Sequence, residues 1–115
     1  MSVSATELTA KKCTACEGHT PAFTAAQVAA HLPAVPEWKL SDDGTLIRRK
    51  YKFKDFVTAL TFVNTVGALA EAEDHHPDLH LTGYRNVTLE LCTHAIGGLS
   101  ANDFIVAAKI DALPV

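Results

Sequence analysis

Between Phe23 and Leu32 the apolar residues fall at helical intervals, and the segment opens with a start signal. Thr24 and Gln27 have capping-box spacing, with Phe23 and Val28 placed to close a hydrophobic staple over it. This helix is expected to run to about Leu32 and to stop before Pro33. The rhythm then becomes alternating. Glu37 to Leu40 and Leu46 to Phe53 read as two strands joined through Ser41, Asp42, Asp43 and Gly44, a turn-rich stretch that suits a hairpin. In the second strand Ile47, Tyr51 and Phe53 share one face while Arg48, Lys50 and Lys52 share the other, which implies a sheet covered on one side.

Asp55 can cap a long second helix, in which Phe56, Leu60, Val63 and Gly67 recur as an apolar stripe. Its end is expected near Asp74, since Pro77 disfavours helical geometry at His76. Alternation returns over Asp78 to Thr82 and Val87 to Thr93, linked through Gly83 to Asn86; continued to the strand end, it puts His94 on the less apolar face. Ser100 and Asp103 repeat the capping box for a last helix, again with a staple pair in Leu99 and Phe104. The order α-β-β-α-β-β-α predicts an α+β domain: a four-stranded antiparallel sheet with three helices packed on one face. Residues 1–21 are polar and lack a sustained period, so they read as a partly disordered leader to a domain spanning 22–115.

At 115 residues, 48% hydrophobic and 20% charged, the chain is expected to build one core. A formal net charge of -3 argues against a general affinity for nucleic acid or an anionic membrane, and the basic run Arg48, Arg49, Lys50, Lys52 and Lys54 reads as a solvated sheet face. No apolar run reaches the length of a membrane span, and the opening Met-Ser-Val-Ser-Ala-Thr-Glu has neither segment of a secretion signal, so the expected location is the cytoplasm. Three cysteines in an aliphatic chain fit a reducing compartment. Cys13, Cys16 and His19 could offer ligands to zinc, but the second Cys pair of a strong motif is missing, and two ordinary thiols are the preferred reading.

The chemistry concentrates in the second half. His75, His76, Tyr84, His94 and Asp103 lie close along the chain, and histidine is the side chain with both acid and base forms in supply near neutral pH. Adjacent histidines held by Pro77, with a third on a following strand, point to general acid and base catalysis. A solvated pair at a helix end is the competing reading. Zinc held by His75, His76, His80 and His94 is another, but adjacent histidines seldom converge on one ion, and Pro77 spoils the helical spacing from His76 to His80. His80, His31 and His19 match no motif position.

The spacing also resembles the signature of the pterin-4a-carbinolamine dehydratases: His75-His76-Pro77, six residues to Tyr84, nine to His94 and eight to Asp103. The resemblance extends to Trp38, to Gly98-Leu99-Ser100 and to Cys13-x-x-Cys16-Glu17-Gly18, and so covers nearly the whole chain. It implies a hydro-lyase that dehydrates 4a-hydroxytetrahydrobiopterin to quinonoid dihydropterin and water in tetrahydrobiopterin recycling. Proton transfer would fall to His75, His76 and His94, with Tyr84 lining the pterin pocket, Trp38 either lining it or anchoring the first hairpin in the core, and Pro77 fixing ring directions. Asp103 would be structural or supporting, because its place after a serine cap explains an acid there. No metal or redox cofactor is required. The resemblance further implies a homo-oligomer, dimer or tetramer, and offers a different class of function: a protein-binding dimerisation cofactor or coactivator with little or no catalytic role.

Overall fold

The computed structural model describes residues 3–14 and 21–114. Within them the alternating segments pair as one antiparallel sheet ordered β1-β2-β4-β3: β1 (Lys39–Leu40), β2 (Ile47–Lys52), β3 (Asp78–Thr82) and β4 (Asn86–Leu91). Register sets Ile47 opposite Leu91 and Tyr51 opposite Val87, so one face gathers Ile47, Val87, Leu89 and Leu91, all fully buried. Charged Arg48 and Glu90 face each other on the opposite side and form an ion pair. Over the apolar face lie α2 (Ala25–His31), α3 (Phe56–Glu73) and α4 (Ala101–Asp111), with Val28, Phe62, Val66, Phe104, Val106 and Ile110 joining the sheet residues in one core. The expected α+β architecture and element order are therefore observed.

Each helix start follows the residue chemistry of its cap. The Thr24 hydroxyl accepts from Gln27 N–H while the Gln27 side chain accepts from Thr24 N–H; Ser100 and Asp103 close the same reciprocal box; Asp55 accepts from Thr58 N–H. The end of α3 is made by Asp74 in the left-handed conformation, φ 52°, usually a glycine's place. Its N–H and that of His75 turn back onto the last carbonyls of α3, through Ala70, so the chain reverses with His75 and His76 at the helix end.

Several particulars differ from the sequence reading. The buried side of α3 is Ala59, Phe62, Val66 and Ala70, whereas Phe56 and Leu60 of the expected stripe are exposed. This helix is apolar on more than one side, so periodicity alone does not choose the face. After His31 the chain passes through a 3-10 turn, Leu32–Ala34, that absorbs Pro33. The last strand stops at Leu91, and a Thr93–Gly98 bridge closes a loop in which His94 opens a 3-10 turn. The segment expected as a partly disordered leader carries α1 (Ala5–Thr9), capped by Ser4 and packed on α4, with Leu8 only 1% exposed. One leucine in one helical turn leaves no period to read. Cys16 and His19 lie outside the described residues. Among the described residues no helix is long and apolar enough to cross a membrane.

Burial of Leu8 makes α1 part of the folded unit. Leu8→Ala should cost about 2–4 kcal/mol, read as a lower urea midpoint with the slope unchanged; a midpoint equal to wild type would mean that α1 does not dock in solution.

Candidate active site

Asp103 has no exposed surface, and a carboxylate so placed requires donors. It has three. His75 Nε2–H donates to Oδ1 at 2.6 Å, while the Thr93 hydroxyl (2.8 Å) and Ser100 N–H (2.9 Å) donate to Oδ2. Since the single hydroxyl proton of Thr93 goes to Asp103, the Ser100 hydroxyl is the donor in the 2.8 Å Thr93–Ser100 contact. One carboxylate therefore ties the end of α3, through His75, to the segment leaving β4, through Thr93, and to the first turn of α4. The capping role expected for Asp103 is present, and the same group orients the His75 ring.

A cleft of about 330 Å³ opens at this junction, lined by Thr14, Asp74, His75, His76, Cys92, Thr93, His94, Ala95 and Asn102. The structure thus brings His75, His76 and His94 to one cavity from two chain segments. The His75 side chain is 11% exposed and fixed by Asp103, leaving Nδ1 as its uncommitted ring nitrogen. His76 is more open, its Nε2–H donating to Glu71 Oε1 at 2.8 Å. His94 is exposed on the loop, with its ring nitrogens 3.7 and 3.8 Å from Cys92 Sγ. Burial pushes the Cys92 thiol above its ordinary range, with Asp103 adding to the effect, so near neutral pH it is a neutral neighbour of His94.

Tyr84 and Trp38, expected in the pocket, are not brought to this cleft. Tyr84 sits at the β3–β4 turn with φ 55°, next to Gly83 at φ 52°, and is 59% exposed. That turn is the far end of β3 from Asp78 and the histidine pair, roughly 16 Å away by strand rise. Trp38 is buried, and its indole N–H donates to Asp111 Oδ1 at 2.8 Å. Asp111 ends α4, whereas the cleft lies at its beginning, so Trp38 is a core anchor. Pro77 follows the pair, where the chain enters β3. His80 donates to Glu90 on the open sheet face, 2.9 Å away, outside the cleft.

Glu71, Thr93, Asn102 and Thr14 are not among the site residues expected from the sequence. Glu71 carried a weak signal, one helical turn before His75, and Thr93 adjoins His94. Thr14 carried none. Cys13, part of the weak zinc reading, is unsuited to holding a metal as thiolate: burial, then the Glu73 carboxylate beside it, push its thiol up to about 12. Among the described residues no group of three or more His, Cys, Asp or Glu side chains is arranged to hold a metal ion.

Residues 21–113 match the family profile described as Pterin 4 alpha carbinolamine dehydratase. A protein of Halorhodospira halophila, provisionally named a pterin-4-alpha-carbinolamine dehydratase, is 49% identical over 92% of this chain and 96% of its own length. Pterin-4-alpha-carbinolamine dehydratase 2, mitochondrial, of Arabidopsis thaliana is 44% identical over 95% of this chain and 60% of its own. Among solved structures, a transcriptional coactivator/pterin dehydratase from Brucella melitensis superposes with a TM-score of 0.73 at 34% identity, covering 79% of this chain and 96% of that one.

The donors gathered on Asp103 make it a point of stability as well as of geometry. Asp103→Ala strands three of them and removes a cap, and should cost about 3–5 kcal/mol; Thr93→Val should cost about 1–3 kcal/mol. Urea unfolding of both variants checks this, and losses below 1 kcal/mol for Asp103→Ala would contradict the network.

Proposed function

The chain belongs to the pterin-4-alpha-carbinolamine dehydratase family, and from that premise we propose that it is itself a hydro-lyase converting 4a-hydroxytetrahydrobiopterin to quinonoid dihydropterin and water. The observation that carries this reading is the meeting of His75, His76 and His94 on one cleft, with His75 fastened to a buried carboxylate. In this reading the reaction serves tetrahydrobiopterin recycling, downstream of a class of reaction that leaves a hydroxyl on pterin carbon 4a.

Dehydration breaks the C4a–O bond as a proton reaches the departing hydroxyl, and forms the N5–C4a double bond as the N5 proton leaves. The protons balance, and water is the sole leaving group. His75 commits Nε2–H to Asp103 and so offers Nδ1 as the base for the N5 proton. The acid comes from His76 or His94, on different chain segments and so able to reach different sides of a flat ring. Asp103 and Glu71 act through the imidazoles they hold. Cytoplasm is the proposed setting, in keeping with the free thiols of Cys13 and Cys92.

A second reading is favoured by one surface. The outward side of α3 exposes Phe56, Leu60 and Val57, the last at 70%, an apolar face of the kind a protein-binding module presents. We assign it to a homo-oligomer of this chain, with the catalytic cleft at the other end of α3.

Enzymatically generated 4a-hydroxytetrahydropterin, followed by absorbance, should lose water much faster with the wild type. His75→Ala, and one of His76→Ala and His94→Ala, should lose about 10²-fold or more while remaining folded; a well-folded wild type that gives no acceleration sinks the dehydratase reading. Independently, Val57→Glu combined with Leu60→Glu should lower the particle mass in light scattering, and an unchanged mass would remove this face from the assembly.

A further inference from the structure

Beyond α1 the chain runs across the ends of the two helices that hold the site. Cys13 N–H donates to Glu73 Oε1 at 3.0 Å. Thr14 N–H donates to Asn102 Oδ1 at 3.1 Å, and Asn102 Nδ2 donates back to the Thr14 carbonyl at 2.6 Å. A side-chain amide that both accepts from and donates to one residue's peptide copies one step of a β-ladder, which fixes register as well as proximity. Both anchors are well held. Asn102 is buried in the first turn of α4, and Glu73, at the end of α3, is clamped by Lys109 Nζ at 2.8 Å. Hydrogen bonds from Lys109 and then from Cys13 N–H hold the Glu73 carboxyl below its ordinary range, as a permanent acceptor requires.

The position of the anchors is what gives them meaning. Glu73 lies two residues before His75, Asn102 immediately precedes Asp103, and the Thr14 they fix is itself a lining residue of the cleft. The arm is fastened beside both members of the His75–Asp103 pair.

We propose that Thr14 forms part of the wall of the catalytic cleft, latched by Asn102 and, through Cys13, by Glu73, and that this latch sets the enzyme's affinity for its pterin substrate. Asn102 and Glu73 are positioning residues, and Thr14 is the group presented to the substrate. The inference rests on the dehydratase reading. It adds a binding determinant outside the histidine cluster, contributed by a segment that the family profile match, 21–113, does not reach.

Cys13 supplies a reporter of the latch that does not depend on activity. Its thiol, at about 12 when latched, returns toward the ordinary 9.0 once the arm leaves Glu73, and the thiolate fraction available to an alkylating agent rises.

The test uses the full chain as wild type, Asn102→Asp, Glu73→Ala and Glu73→Gln, each checked for folding by circular dichroism. Asn102→Asp keeps the acceptor for Thr14 N–H but sets a carboxylate oxygen against the Thr14 carbonyl, and an acid at this helix position favours the helix itself. Iodoacetamide labelling of Cys13, read by peptide mass mapping, should quicken by roughly tenfold or more in Asn102→Asp and Glu73→Ala. In the same proteins KM for 4a-hydroxytetrahydropterin should rise about tenfold with kcat within about threefold, and Glu73→Gln, which keeps the acceptor but not the charge that helps to raise the Cys13 thiol, should return KM toward wild type. Fast labelling with a wild-type KM would make the arm mere scaffold and overturn the proposal. Unchanged labelling would show that these residues do not hold the arm, which overturns it equally. An inactive wild type would instead fail the dehydratase reading, and the wall would fall with it.

Discussion

Everything at this site depends on one carboxylate that has been taken out of water. Asp103 is fully buried, and the cost of that burial is met by donors from three parts of the chain: His75 from the end of α3, Thr93 from the exit of β4, and the Ser100 backbone at the start of α4. Losing any one leaves a buried polar group short of a partner, so the three segments keep a common geometry. The cleft is the space left where they converge.

This arrangement couples helix capping to side-chain orientation. The first turn of α4 forms because Asp103 accepts from Ser100 N–H, and the same oxygen pair points the His75 ring. Beyond β4 the Thr93–Gly98 bridge closes a short loop around His94, so the third histidine is set by backbone pairing and not by a carboxylate. The end of α3 contributes the remaining constraint: Asp74 accepts a left-handed conformation, at roughly 1–2 kcal/mol for a residue with a Cβ, and reverses the chain so that both adjacent imidazoles stand at the helix end.

Much of the frame was legible because it rests on short-range chemistry. The boxes at Thr24 and Ser100, the cap at Asp55 and the alternation in β2 and β4 each lie within a few residues, and the element order follows from them. What escaped has long-range causes. The His75–Asp103 contact spans 28 positions and the Thr14–Asn102 pair 88, and no period connects them. Tyr84 and Trp38 came to the pocket by resemblance alone, and the hairpin tip and the Asp111 partner hold them elsewhere. The face of α3 was misread because Phe56 and Leu60 are as apolar as the Phe62 and Val66 that the sheet selects.

The double employment of Asp103 has a consequence for how relatives of this chain diverge. A descendant that abandoned catalysis would still need an acid there to start its last helix, so selection on folding alone would preserve it. The imidazole at position 75 shares that duty, as one of the three donors to the buried carboxylate, so its loss would cost folding as well unless another donor took its place. Within this fold the aspartate at the start of α4 and the histidine bonded to it are therefore both scaffolding that says little about living chemistry, and the exposed imidazoles at positions 76 and 94, which hold no buried carboxylate, are the ones free to drift in a lineage without catalysis.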